Sequence, residues 1–176
     1  MNEKIGNRRI GLVIIGVLFL SGCVSMPLKQ YSEVLPKASS IYLEKMEFCK
    51  LREAGLGFKL SFEEPIDNLS AEQLEVLEAY GVSLKKELGK RGFTVVDDSG
   101  KEGTLIIKTK VGEIPVSLLR YPGVGVIAVE IEVLDNSGKP LLSFQKGGNT
   151  TFLLKAKKQI KLVAPWVAEQ LKKKFL

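Results

Sequence analysis

The groups in this 176-residue chain with types and spacing suited to chemistry are two thiols, Cys23 and Cys49, and two carboxylate pairs, Glu63–Glu64 and Glu130–Glu132. Paired carboxylates can serve as acid and base, or acid and nucleophile, in glycoside cleavage, which needs no other side-chain type. Glu63 and Glu64 adjoin Pro65, however, and Glu130 and Glu132 share one face of a strand opposite an aliphatic set. A solvated sheet face, or lysine partners across the strands, explains such residues without catalysis. The chain has no histidine, which removes His-based triads, histidine zinc sites and the usual general base near neutral pH. Two cysteines are too few for a four-cysteine metal site. The glycines of "YPGVGVIAV" (121–129) lead into a strand, and no G-x-x-x-x-G-K-[ST] sequence follows them, so they do not make a phosphate cradle. These residues point to no enzyme, no cofactor and no metal.

Cys23 belongs to a different chemistry. The first 22 residues divide into a basic start (Lys4, Arg8, Arg9), an apolar run from Ile10 to Leu20 and a small-residue approach to the cysteine. That is the layout of a secretory signal peptide. The run of 11 residues is short of the roughly 20 needed to cross a bilayer as a helix. Leu20-Ser21-Gly22-Cys23 resembles the bacterial lipobox. The resemblance implies cleavage before Cys23, a diacylglycerol on its thiol, and an acyl chain such as palmitate on the new amino group. The competing reading is an ordinary signal peptide with Cys23 paired to Cys49. Without that pairing, Cys49 in "MEFCKL" reads as a small buried hydrophobe. Two or three acyl chains make a stable anchor, at about 0.8 kcal/mol per buried methylene. Val24 follows Cys23 where Asp would retain a Gram-negative lipoprotein at the inner membrane, so the resemblance implies the outer membrane, facing the periplasm.

Residues 24–39 carry Pro27 and Pro36 without a sustained period, as a tether would. The expected division is a signal peptide over 1–22, a lipidated cysteine and tether over 23–39, and one globular domain over 40–176. Net charge is +6 for the chain, and the segment from Lys155 to Leu176 has seven lysines against one acid, Glu169. Residues 23–154 are therefore slightly acidic, and nucleic acid is not an expected partner.

Within the domain, "LSAEQL" has Ser70 as N-cap, Gln73 three residues on, and Leu69 and Leu74 at staple positions, so a helix is expected from Ala71. Its core stripe reads Leu74, Leu77, Gly81, Leu84 and Leu88, ending at Lys90-Arg91-Gly92. The period then changes to two. "FTVVD" (93–97) is a short strand; "TLIIKTKVGEI" (104–114) places Leu105, Ile107, Thr109 and Val111 on one face; "VIAVEIEVLD" (126–135) places Ile127, Val129, Ile131 and Val133 opposite its two glutamates. Asn136-Ser137-Gly138 supplies a hairpin turn before "PLLSFQK", and the glycines at 147 and 148 read as a bulge or break. "SIYLEKMEF" and "FKLSFE" read as strands upstream. The last segment places Ile160, Val163, Val167 and Leu171 on one helical face, with Pro165 expected to kink or restart the helix. The fold class is α+β, a mainly antiparallel sheet with two helices packed on one face, in the order ββ-α-βββ-β-α.

Two stretches are candidate contact surfaces. The connection 115–125 carries Leu118, Leu119, Arg120 and Tyr121, apolar for a loop; it is either an exposed partner-binding surface or a cover over the sheet edge. Trp166 falls among the lysines of an unbroken last helix, or is buried if Pro165 resets the phase. Lys172, Lys173 and Lys174 suit an anionic lipid surface.

The stretches "YSEVLP" (31–36), "LSAEQLEVLEAYGVSLKKEL" (69–88), "GFTVVDDSGKEGTLIIKTKV" (92–111) and "GVIAVEIEVLDNSGKPLLSF" (125–144), in that order after the lipid cysteine, resemble a family of small Gram-negative outer-membrane lipoproteins that carry a domain of unknown function. Residues 45–58 and the lysine-rich end fall outside the match. More distantly, the layout is similar to envelope-assembly lipoproteins that act as plugs, cofactors or secretion-pore parts. The expectation is a lipid-anchored, non-enzymatic, periplasm-facing lipoprotein that binds another envelope component in an assembly or structural role. The alternative is a small-molecule or lipid-binding carrier.

Overall fold

The chain is seen in a computed structural model that describes residues 28–54, 59–114, 124–151 and 155–176. The elements are β1 (Lys29–Gln30), β2 (Ser40–Leu43), β3 (Glu47–Ala54), β4 (Lys59–Pro65), α1 (Ala71–Lys90), β5 (Thr94–Val96), β6 (Thr104–Ile114), β7 (Val124–Leu134), β8 (Pro140–Thr151) and α2 (Ala156–Phe175). One sheet runs β1-β8-β7-β6-β2-β5, with the β3–β4 hairpin attached to the second half of β6. The long pairings β6–β7 and β7–β8 are antiparallel; β2 and β3 lie parallel to β6. Parallel neighbours need a crossover, and α1 supplies one between β2 and β5. Among the described residues no helix is long and apolar enough to cross a membrane.

The fold is α+β as expected, but the order is ββββ-α-ββββ-α. Two small strands account for the difference. β1 lies in the stretch read as tether, and the stretch read as one strand from Ser40 is two. Leu43 stands opposite Ile107 and Glu47 opposite Lys110, so Glu44, Lys45 and Met46 face only Lys108 and Thr109. The extra residue works as a bulge does. Ile41 and Phe48 are seven apart, and an unbroken period of two would send them to opposite faces. With the extra residue both join the core under the helices.

That core holds Leu105, Ile107 and Val111 of β6, Ile127, Val129, Ile131 and Val133 of β7, and Leu142 and Phe144 of β8. The capping box at Ser70 and Gln73 is present in both directions. The buried ridge of α1 is Val76, Tyr80, Leu84 and Leu88, with Ala79 beside it, a four-residue spacing that lays one continuous ridge on the sheet. Leu77 is half-buried, while Leu74, expected in the stripe, precedes the ridge and is 54% exposed.

Helix α2 runs through Pro165 as one helix, so the expected restart does not occur there. Proline removes the N–H that would bond the carbonyl four residues back, which here belongs to Lys161. The Ser83 hydroxyl of α1 donates to that carbonyl through a long hydrogen bond of 3.4 Å, so the freed acceptor has a partner. Two ion pairs flank it, Lys157–Glu75 at 2.9 Å and Arg91–Glu169 at 3.2 Å, and the two helices run in the same direction.

β8 is likewise unbroken at Gly147 and Gly148; the register shift lies instead between Val133 and Leu134. The glycines make room on both faces. A Cβ at Gly148 would meet the Gln159 side chain of α2, and one at Gly147 would stand 3.3 Å from the Ala128 Cβ. Gly112 does the same for the hairpin, since a Cβ there would lie 3.0 Å from the Leu51 Cβ and 3.2 Å from the Phe62 ring. The hairpin thereby folds over the outer face of the sheet, where Leu60, Ile114, Val126 and Ala128 form a second small core. Gly112→Val is expected to cost roughly 1–3 kcal/mol by overpacking. Gly89→Ala should instead gain about 0.4–1 kcal/mol, because a helical Ala restricts the unfolded chain and nothing stands within 4 Å of that site. Urea midpoints moving in the same direction for both would show the hairpin to be yielding.

Candidate contact surfaces at the two ends of the sheet

One end of the sheet is formed by Thr104, Leu134, Pro140 and β1; the other by Ile114, Val124 and Thr151. α2 starts near the second end and finishes at the first. There its last turn meets the segment 28–39. Lys174 Nζ donates to Gln30 Oε1 over a long 3.4 Å, the Ala38 N–H donates to the Phe175 carbonyl at 3.0 Å, and Lys37 Nζ donates to the Leu176 carbonyl at 2.7 Å. Along the sheet edge, the Tyr31 N–H donates to the Leu141 carbonyl at 2.9 Å and the Tyr31 hydroxyl lies 3.2 Å from Ser143 Oγ. Leu28 and Leu35 pack on the main core. The expected tether is thus, from Leu28 on, a strap bound to the domain.

The strapped end is basic and partly apolar on its outside. Lys172 and Lys173 are exposed, Lys174 is half-buried, and Lys29 lies with its ammonium 4.9 Å from the centre of the Tyr31 ring. Tyr31, Val34 and Leu176 are exposed beside them. Sequence reasoning found the three lysines of α2 but passed over Lys29, Tyr31 and Val34, because Pro27 and Pro36 mark a linker and a two-residue strand has no period to detect.

Four of the sequence-derived site residues, Leu118, Leu119, Arg120 and Tyr121, and the cysteine at 23 lie outside the described residues. The connection that holds the four leaves β6 at Ile114 and rejoins β7 at Val124, at the end away from the strap. The 11 residues of β6 separate the two ends by about 33 Å at ~3.3 Å per residue. Trp166 is half-buried between α2 and β8, edge-on to Phe144 with centroids 5.5 Å apart and with Lys146 Nζ 5.0 Å from its ring centre. It packs against the main core, so a lysine of β8 covers it rather than the lysine face of α2. Leu162, next to Lys161 and one turn after Lys158, is exposed.

Two of the four carboxylates, Glu130 and Glu63, have ion-pair partners. Glu130 accepts from Gln145 Nε2 at 2.6 Å and lies 3.6 Å from Lys110, Glu132 stands opposite Lys108, and Glu63 lies 3.1 Å from Arg52. With Glu44, Lys45 and Glu47 the sheet-face groups line a shallow groove of ≈ 220 Å³ in which the two signs of charge are interspersed. Cys49 is fully buried, and burial pushes its thiol up, away from the thiolate a nucleophile needs. Glu113 was not singled out from sequence, although its position continues the alternation of Leu105, Ile107 and Val111 toward the helices. It is half-buried near Gln73 at the start of α1, in an open cleft of ≈ 350 Å³ also lined by Phe48, Lys50 and Ile66. Burial, and then the charge of Glu72, push its carboxyl up.

No protein-family model and no curated protein sequence matches this chain. Its fold is similar to solved structures at low identity. A PelC dodecamer subunit from Paraburkholderia phytofirmans aligns at a TM-score of 0.47 and 12% identity over 86% of this chain and 100% of that one. A minor lipoprotein from Acinetobacter baumannii gives 0.46 and 10% over 77% and 93% of the two chains. The lipoprotein GNA1162 from Neisseria meningitidis gives 0.41 and 11% over 77% and 99%.

Proposed function

We propose that this chain is an outer-membrane lipoprotein, acylated at Cys23, whose non-enzymatic α+β domain faces the periplasm and binds another envelope component. The observation that carries the reading is Leu20-Ser21-Gly22-Cys23 at the end of an 11-residue apolar run, with the bound strap beginning five residues later, at Leu28. Five residues span at most ~18 Å, so the anchor holds the domain close to the bilayer rather than on a long leash. The end of the sheet where β6 finishes and β7 begins then faces away from the membrane, and the connection between them, with Leu118, Leu119, Arg120 and Tyr121, is the partner-binding surface. The carrier reading comes second. Its support is the cleft beside Glu113, whose ≈ 350 Å³ falls in the range of small-molecule sites, but whose lining of Lys50, Arg52, Glu63 and Glu113 suits a polar ligand better than an acyl chain.

Cys23→Ser is expected to abolish palmitate labelling and acyl mass and to remove the protein from the lipid-anchored membrane fraction. An unmodified Cys23 in the exported protein, measured by intact mass, would refute the anchor. In-cell crosslinking of the acylated protein should capture a partner, and Leu119→Ser with Tyr121→Ser should lose it. Capture that survives this change but fails when Lys172, Lys173 and Lys174 become Gln would move the partner surface to α2.

A further inference from the structure

We propose that the strapped end is a membrane-docking face: residues 28–37 and the last turn of α2 seat on anionic phospholipid headgroups, and the sheet stands on end on the bilayer. The proposal rests on Cys23 being the anchor and adds to it an orientation that an anchor alone does not set.

The length of chain between anchor and fold selects this end. Leu28 is packed on the main core, one residue before the Lys29–Ser143 pair of β1 and β8, and the five residues from Cys23 to it reach at most ~18 Å, which spans the roughly 13 Å to the Pro140 end of β8 but not the roughly 23 Å to its Thr151 end. Around Leu28 the surface has the composition of a membrane contact. Lys29 lies in the strap and Lys172, Lys173 and Lys174 in the last turn of α2 that meets it, the last joined to Gln30. Val34, at 79% exposure, Tyr31 and Leu176 are exposed on the same two segments. Lysines at a helix C-terminus also offset its dipole, but that role does not extend to Lys29 or to an exposed valine in the strap.

Residues 28–37 and 172–176 carry five lysines against one acid, Glu33, while Glu102 and Asp135 lie in the neighbouring turns. Each basic residue close to an anionic surface strengthens binding roughly fivefold. The acyl anchor makes the contact intramolecular, so a docking interaction too weak to recruit a free protein still orients an anchored one.

The test uses the acylated protein reconstituted through its own anchor into vesicles of phosphatidylcholine alone or with phosphatidylglycerol, with lysine acetylation rates read by mass spectrometry. In anionic vesicles at low salt, Lys29, Lys172 and Lys173 should react several-fold more slowly than in neutral ones, and salt should remove the difference, since the screening length falls to about 8 Å near physiological ionic strength. The exposed Lys85, Lys86 and Lys161 should react equally in both. Changing Lys172, Lys173 and Lys174 to Gln should restore the rate at Lys29. Equal rates at the strapped end in both vesicles, or protection of Lys85 and Lys161 instead, would overturn the docking face. Failure of the anchor is read separately, as missing acyl mass. In that case flotation of the unacylated chain with anionic vesicles judges the face, with a loss of roughly a hundredfold expected for the triple change and no loss overturning it.

Discussion

Phe175→Ala is expected to lose about 3–5 kcal/mol of stability, the usual cost of removing a buried aromatic ring, and to loosen the strap in the molecules that stay folded. Phe175 has no exposed surface, and its carbonyl takes the Ala38 N–H at 3.0 Å. Its ring therefore seats the last turn of α2 on the core and holds one attachment of residues 28–39 in place. Two measurements separate the effects. Chemical denaturation gives the total loss, and hydrogen exchange at the Ala38 and Tyr31 amides reports the strap, since both donate to backbone carbonyls of other elements. An unchanged unfolding midpoint would mean that the last turn is not seated. Unchanged exchange at Ala38 with a lowered midpoint would mean that the Phe175 carbonyl holds the strap without the ring.

Two leucines of α1 should behave oppositely. Leu84→Ala is expected to cost about 2–5 kcal/mol, because Leu84 is fully buried in the ridge against the sheet. Leu74→Ala should stay within about 0.5 kcal/mol, as surface changes usually do. Denaturant midpoints of the two variants decide which stripe of the helix faces inward. Similar losses would restore the stripe that begins at Leu74.

That contrast shows what the sequence could and could not convey. The start of α1 was legible because a capping box is local, needing only Ser70 and Gln73. The phase of its buried face was not, because leucine at 74 and valine at 76 are equally apolar and the choice falls to the neighbouring sheet. β6 and β7 were legible because alternation over 11 residues admits one assignment of faces. β2 and β3 were blurred by the extra residue between Leu43 and Glu47, which reverses the parity midway and leaves Ile41 and Phe48 out of step in the sequence although they share a face in the fold. Prolines 27 and 36 announced a linker, but the strap is held by single hydrogen bonds and by Leu28 and Leu35, too sparse a pattern to be periodic. Of the candidate site, the lysines of α2 were found from charge alone. Lys29 and Tyr31 came into the same surface only once the antiparallel pairing of β1 with β8 set them beside the end of the helix.

The hydroxyl of Ser83 on the carbonyl freed by Pro165 has a further consequence. A helix with a complete hydrogen-bond ladder can slide along its neighbour by one turn and present much the same surface. A helix with one bare acceptor at a known height has a preferred level, because only there does the Ser83 hydroxyl reach it. Proline thus turns a featureless cylinder into a ruler with one mark. Ten residues beyond Pro165, the ring of Phe175 is delivered to the depth at which residues 28–39 can close over it, so that a missing N–H in the middle of α2 sets the level at which the strap attaches.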